Sequence, residues 1–141
     1  MLNLLTVHDV KYVMSRMSSI HGIGQLHVSV SDLDESLRFY RDVLGLPHLF
    51  SYPGMAFLDA GGVRLYLSAP EDERFRSRPV VYYQVDDAAE AFAEVTGRGA
   101  PQVSAPHVVH REGDTELWMA FVADPDGTPV GLMAQRQAAP A

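Results

Sequence analysis

Residues 30–46 read VSDLDESLRFYRDVLGL and contain the most specific structural signals of the chain. Asp32 and Glu35 form a capping box, an N-cap acid followed three residues later by a glutamate, which predicts the start of a helix. Gly45 stands where a glycine commonly ends a helix. Between them, apolar side chains recur at helical spacing. They are Leu33, Leu37, Tyr40, Val43 and Leu44.

One strand is predicted before this helix and three after it. Upstream, Leu26, Val28 and Val30 alternate with polar residues, a period of two that is typical of a strand. Downstream, Pro53-Gly54 and Gly61-Gly62 are turn signals that divide the chain into short extended segments. The predicted strands are Gln25–Val30, His48–Tyr52, Met55–Ala60 and Val63–Ser68.

The same order then recurs, which indicates an internal repeat. Asp87 and Glu90 form a second capping box 55 residues after the first, and Gly97 and Gly99 end the helix that it starts. Residues 124–127, Asp-Pro-Asp-Gly, predict a tight turn. The strands predicted for this half are Val80–Val85, Val103–Arg111, Glu116–Val122 and Pro129–Ala134.

The repeat predicts an α+β fold of two tandem βαβββ modules, each a curled mixed sheet with a helix on its convex face. We expect one domain over residues 20–134, with modules at 20–70 and 78–134. Residues 1–19 are interpreted as an N-terminal arm or extension, and residues 135–141 as a frayed tail.

The second half is longer by about nine residues. Met55-Ala-Phe57 matches Met119-Ala-Phe121 at an offset of 64, against 55 for the capping boxes. The extra residues fall within 106–116. They form either a longer hairpin loop or a functional insertion.

The amino-acid composition limits the kinds of partner that this protein is expected to bind. The 141 residues include no cysteine, which excludes disulfides and thiolate metal sites and fits a cytoplasmic protein. The net charge of −7 argues against nucleic acid, because phosphate binding needs a basic surface. It serves solubility or suits a cationic ligand. No apolar stretch is long enough for a membrane span, so no membrane association is expected.

The two modules resemble the vicinal oxygen chelate superfamily, which includes glyoxalase I, bleomycin-resistance proteins and extradiol dioxygenases. Residues 30–46 are similar to its first strand–helix signature, and residues 121–127, FVADPDG, to its penultimate turn. The resemblance implies a small organic molecule as the partner. It also implies a homodimer, because modules of this superfamily pair within or between chains.

In metalloenzymes of this superfamily, four strand positions supply the metal ligands. The resemblance carries them to Gln25, Tyr66, Val80 and Gly131. Val80 and Gly131 have no donor side chain, and neither an amide nor a neutral phenol is a good ligand for a divalent ion. We therefore expect no metal and no cofactor, and we expect Gly131 to leave space in the cavity.

Strand alternation predicts which side chains line the concave face in place of metal ligands. His27 is a candidate catalytic base, because imidazole can carry a proton near neutral pH. His107 and His110, in the insertion, are two further candidates. Each also has a structural reading, as packing or as a hydrogen-bonded histidine. The predicted ligand-binding residues are Gln25, His27, Tyr66, Ser68, Tyr82, Gln84, Met119, Phe121, Gly131 and Met133.

Three functions fit this lining. The first is a metal-independent protein that binds an aromatic or apolar molecule. The second is a metal-independent isomerase, cyclase or lyase with His27, His107 or His110 as general base. The third is a metal-dependent lyase or dioxygenase with other ligands. The sequence favours the binding protein and does not name its ligand.

Overall fold

The first module follows the predicted order. The structure is a computed structural model, and it describes residues 19–138; the proposed arm therefore lies, apart from Ser19, outside the described residues. The module has five elements and one turn of π-helix. These are β1 (Gln25–Ser29), α1 (Leu33–Arg38) continued by a π-helical turn (Phe39–Val43), β2 (His48–Tyr52), β3 (Met55–Ala60) and β4 (Val63–Ser68).

The second module repeats this order after a linker that contains a short 3-10 helix (Glu73–Phe75). Its elements are β5 (Val81–Gln84), α2 (Ala88–Gly97), β6 (Gln102–Glu112), β7 (Thr115–Ala123) and β8 (Pro129–Gln137). Within residues 19–138, no helix is long and apolar enough to cross a membrane.

Each module forms one four-stranded mixed sheet. The strand orders are β1-β4-β3-β2 and β5-β8-β7-β6. In each sheet the first strand pairs in parallel with the last, and the other neighbours are antiparallel. The predicted α+β class and the tandem βαβββ modules are thus confirmed.

Both capping boxes form. The carboxylates of Asp32 and Asp87 accept hydrogen bonds from the backbone N–H of Glu35 at 3.1 Å and of Glu90 at 2.9 Å. The first helix differs from the sequence prediction, because it does not stay α-helical to its end. The Leu44 N–H bonds to the Phe39 carbonyl, five residues back. We attribute this wider turn to the burial of both Phe39 and Tyr40, consecutive side chains that must both face the core.

The modules share one hydrophobic core, to which both helices and both sheets contribute. Polar contacts also join them. The Tyr40 hydroxyl donates to Asp124 at 2.9 Å, and the Ser31 N–H donates to both oxygens of Asp126 at 3.2 Å. Burial and the nearby Asp124 carboxylate raise the pKa of Tyr40 far above its usual value, so its hydroxyl remains a donor. The Asp-Pro-Asp-Gly turn therefore fastens the second module to the first helix.

The extra residues of the second module lengthen its hairpin. β6 and β7 run as paired strands to Glu112 and Thr115, and β8 follows β7 to Gln137. The expected fraying from Gln135 is therefore wrong for 135–137, because these residues pair with the lengthened β7; residues 139–141 lie outside the described part. Glu116 and Trp118 face away from the concave side, because they alternate along β7 with Met119 and Phe121.

Glu116 is the centre of this extension. Its carboxylate accepts hydrogen bonds from Trp118 Nε1 at 3.1 Å and Arg111 Nε at 2.9 Å, while the Arg136 guanidinium stacks 4.0 Å above the Trp118 ring. The Trp118 bond, followed by the Arg111 contact, lowers the pKa of Glu116. This cluster gives the insertion a structural role on the convex side.

Candidate functional site

Four rings form a continuous row on the concave face of the first sheet. The register sets His27 beside Tyr66, Tyr66 beside Phe57, and Phe57 beside Phe50. Adjacent ring centroids lie 4.8, 4.7 and 4.7 Å apart along this row. We call the four residues His27, Tyr66, Phe57 and Phe50 the aromatic wall.

The wall presents the edges of its rings. Phe57 and Tyr66 are stacked with only 8° between their planes, so each covers the other's face. Side chains stand roughly perpendicular to a sheet, which leaves the ring edges directed away from it. These edges carry the positive part of the aromatic quadrupole and attract the negative face of a further ring. Phe50, at the outer end, is 37% exposed, whereas Phe57 is only 8% exposed, so the wall is most open at its Phe50 end.

Charged and polar groups stand at both ends of the wall. The Arg64 guanidinium lies 5.7 and 5.6 Å from the ring centroids of Phe50 and Phe57. At the other end, His27 Nε2 lies 2.7 Å from Ser68 Oγ. Gln25 is exposed beside Arg64, at the start of β1. Such groups can fix the orientation of a molecule that the rings hold.

The predicted residues of the second module share the concave face of the second sheet. Tyr82 pairs with Gly131, and Gln84 and Met119 both flank Met133. The rings of Tyr82 and Phe121 meet edge to face at 5.6 Å. Met and aromatic side chains therefore dominate this half as well.

Gly131 does not leave free space, which corrects the sequence expectation. A Cβ at this position would lie 2.6 Å from Tyr82 Cδ2 and 3.2 Å from Phe121 Cε1. The two rings close over the glycine because it has no side chain to hold them apart. The volume that a metal-binding side chain would need is thus occupied by the protein itself.

His107 and His110 lie on strand β6 and not on a loop over the cavity, because the insertion extends the sheet. His107 is exposed, and its Nδ1 contacts the Ala105 carbonyl oxygen at 2.7 Å. His110 pairs with Leu117, and its Nε2 is buried with no hydrogen-bond partner among the described residues. Both histidines therefore belong to the second sheet, whereas the aromatic wall lies on the first.

The residues at the four superfamily metal positions do not suit a metal. Gln25 and Tyr66 lie on β1 and β4, Val80 precedes β5, and Gly131 is covered by Tyr82. Within residues 19–138, no group of three or more His, Asp or Glu side chains is placed to hold an ion.

Sequence reasoning missed Phe50 and Tyr52 as parts of this face. The signal was present, because the two-residue turn Pro53-Gly54 sets Tyr52 opposite Met55 and Phe50 opposite Phe57. Applying the turn geometry to the second predicted strand would have extended the face by one strand.

Comparisons with known proteins agree with this architecture. A sequence model of the family described as "Glyoxalase/Bleomycin resistance protein/Dioxygenase superfamily" matches residues 22–132. An uncharacterized protein of Mycolicibacterium smegmatis is 31% identical over 90 residues, which cover 63% of this chain and 77% of that protein.

Two further relatives have named activities of their own. "Catechol-2,3-dioxygenase" of Bacillus subtilis is 50% identical over 42 residues, but this chain spans only 15% of its length. The crystal structure of lactoylglutathione lyase from Agrobacterium tumefaciens superposes with a TM-score of 0.62 at 24% identity, covering 80% of this chain and 92% of that one. That likeness shows the fold alone. With the family match spanning both modules, the chain belongs to the glyoxalase/bleomycin resistance protein/dioxygenase superfamily.

Proposed function

We propose that this protein binds a flat aromatic or apolar organic molecule on its concave face, without a metal or other cofactor. The aromatic wall is the observation that carries the proposal. A ring laid across its edges gains edge-to-face contacts, and burial of its apolar area adds to the affinity. The absence of donor side chains at Val80 and Gly131 supports binding without a metal.

The uncharged dye N-phenylnaphthylamine tests this proposal, because its fluorescence rises when it leaves water. Protein dialysed against a chelator is expected to bind about one dye per chain, with the same affinity before and after chelation. Elemental analysis should find far less than one equivalent of divalent metal. Loss of binding on chelation, or near one equivalent of metal, would contradict a metal-independent site.

We expect the protein to be a homodimer. The outer strands β2 and β6 leave large apolar side chains uncovered: Leu49 is 49% exposed, Tyr52 59%, Val103 54% and Val109 43%. Unpaired edges with such side chains favour association. Light scattering should give twice the 15.5 kDa chain mass. A constant monomer mass across micromolar concentrations would exclude the dimer.

One contact supports a second candidate, a metal-independent isomerase, cyclase or lyase. His27 Nε2 lies within hydrogen-bond reach of Ser68 Oγ, at 2.7 Å, beside the Tyr66 ring. An imidazole at the wall is positioned to take a proton from a bound substrate through its free nitrogen or through Ser68.

Substitution of His27 distinguishes the two candidates. In a binding protein, His27→Ala should weaken affinity by about 1–2 kcal/mol, the cost of one lost hydrogen bond, and His27→Gln should restore most of it. In an enzyme, both variants should bind normally and lose roughly two to four orders of magnitude in turnover. Dye titration and a turnover assay on candidate carbonyl compounds measure the two effects. If neither changes, His27 has a structural role only.

A further inference from the structure

A separate cavity of about 580 Å³ lies at the carboxyl ends of β1 and β4. The linker between the modules closes the other side of the cavity through two hydrogen bonds with β1. The Ser29 N–H donates to the Ser77 carbonyl at 2.7 Å, and the Ser77 N–H donates to Ser29 Oγ at 2.8 Å. Two arginines of the linker, Arg76 and Arg78, also line the cavity.

The cavity borders β1 two residues beyond His27, which is one end of the aromatic wall. Ser29 lines it and is the strand neighbour of Ser68, whose hydroxyl contacts His27. Ser29 and His27 are two residues apart on one face of β1, a separation of roughly 7 Å. A molecule lying on the wall can therefore reach the cavity with a short substituent.

The side chains that line this cavity are basic or uncharged. The protein carries a net charge of −7, yet no acidic side chain is among the described residues that line the cavity. Arg76 donates one hydrogen bond to Glu73 at 3.4 Å, and Arg78 forms an ion pair with Asp126 at 3.7 Å. Both arginine side chains stay more than half exposed, at 62% and 57%. Because a guanidinium group has five N–H donors, each arginine can donate to an anion as well as to its carboxylate partner.

Resting on the proposed function, we propose that this cavity takes the anionic group of the molecule that lies on the wall. The ligand class is then an aromatic acid. This is a ring system that carries a carboxylate or a similar oxyanion within roughly 7 Å of its ring. Guanidinium groups bind such oxyanions with charge-assisted, often bidentate hydrogen bonds, and the serine hydroxyls add neutral donors.

A pair of dyes isolates the anionic contact. Anilinonaphthalene sulfonate is N-phenylnaphthylamine with one added sulfonate, so the two differ at the group that the cavity would bind. The wild type is expected to bind the sulfonate about tenfold more tightly than the neutral amine. Arg76→Gln with Arg78→Gln should remove this preference and leave the affinity for the amine within about twofold.

Arg74→Gln is the matched control, because Arg74 lies on the same linker, is 85% exposed, pairs with Asp72 and does not line the cavity. It should change neither affinity. Arg76→Gln alone should reduce the preference for the sulfonate in part. It leaves the ion pair of Arg78 with Asp126 intact, so it tests the inference even if the double variant does not fold.

Three results would overturn the inference. In the first, the arginine substitutions leave the affinity for the sulfonate unchanged while the amine still binds. This result would refute the anionic contact but not the proposed function. Another is displacement of the sulfonate by micromolar inorganic phosphate, which makes the cavity a free-anion site unrelated to the wall. Failure of both dyes to bind the wild type would refute the proposed function together with this extension.

Discussion

Replacing Asp124 by alanine is expected to lower the free energy of unfolding by about 3–5 kcal/mol, because a buried acceptor of several hydrogen bonds is lost. The Asp124 carboxylate accepts from the Tyr40 hydroxyl and from the backbone N–H of Asp126 and Thr128, each at 2.9 Å. The residue is only 3% exposed, so water cannot replace these bonds without opening the junction between the modules.

Urea denaturation followed by circular dichroism measures this loss. Asp59→Ala is the matched control, because Asp59 also binds a backbone N–H in a turn, that of Gly62 at 2.7 Å, but does so at the surface. The control should cost about 1 kcal/mol or less. Equal losses in the two variants would show that Asp124 acts only on its own turn and does not fasten the modules together.

The second large effect is expected at the wall. Tyr66→Ala combined with Phe50→Ala should weaken binding of N-phenylnaphthylamine by about 2–3 kcal/mol, or roughly 30- to 150-fold, because two of the ring contacts disappear together with their apolar area. Fluorescence titration measures the change. A thermal melt confirms that each variant is folded before its affinity is compared.

Phe75→Ala controls for unspecific dye binding. Phe75 is 65% exposed on the linker and does not belong to the wall. Its removal should leave the affinity unchanged. A loss at Phe75 as large as the loss at the wall would place the dye on exposed aromatic surface in general and would contradict a site on the concave face.

The two modules and the order of their elements could be predicted from sequence patterns alone. The capping boxes at Asp32 and Asp87 and the glycine turns are local signals, which act through hydrogen bonds and dihedral angles within a few residues. For that reason, β2, β3 and β4 have the bounds that alternation and turns predicted, β1 ends one residue earlier than predicted, and β5 is shorter by one residue at each end. Alternation also placed the predicted site residues on the concave faces, since side chains of a strand point to alternate sides.

The contacts between these segments could not be predicted, because they depend on how the sheets, the helices and the linker pack together. The filling of the space at Gly131 depends on how the Tyr82 and Phe121 rings pack over it, and no local pattern encodes that packing. The junction of Tyr40 with Asp124 joins residues 84 positions apart. The cavity beside Ser29 exists because the linker folds back along β1 and brings Arg76 and Arg78 with it. Contacts of this kind are set by the docking of complete sheets and helices, so the sequence reveals the elements that carry the site while packing decides the shape and charge of the space between them.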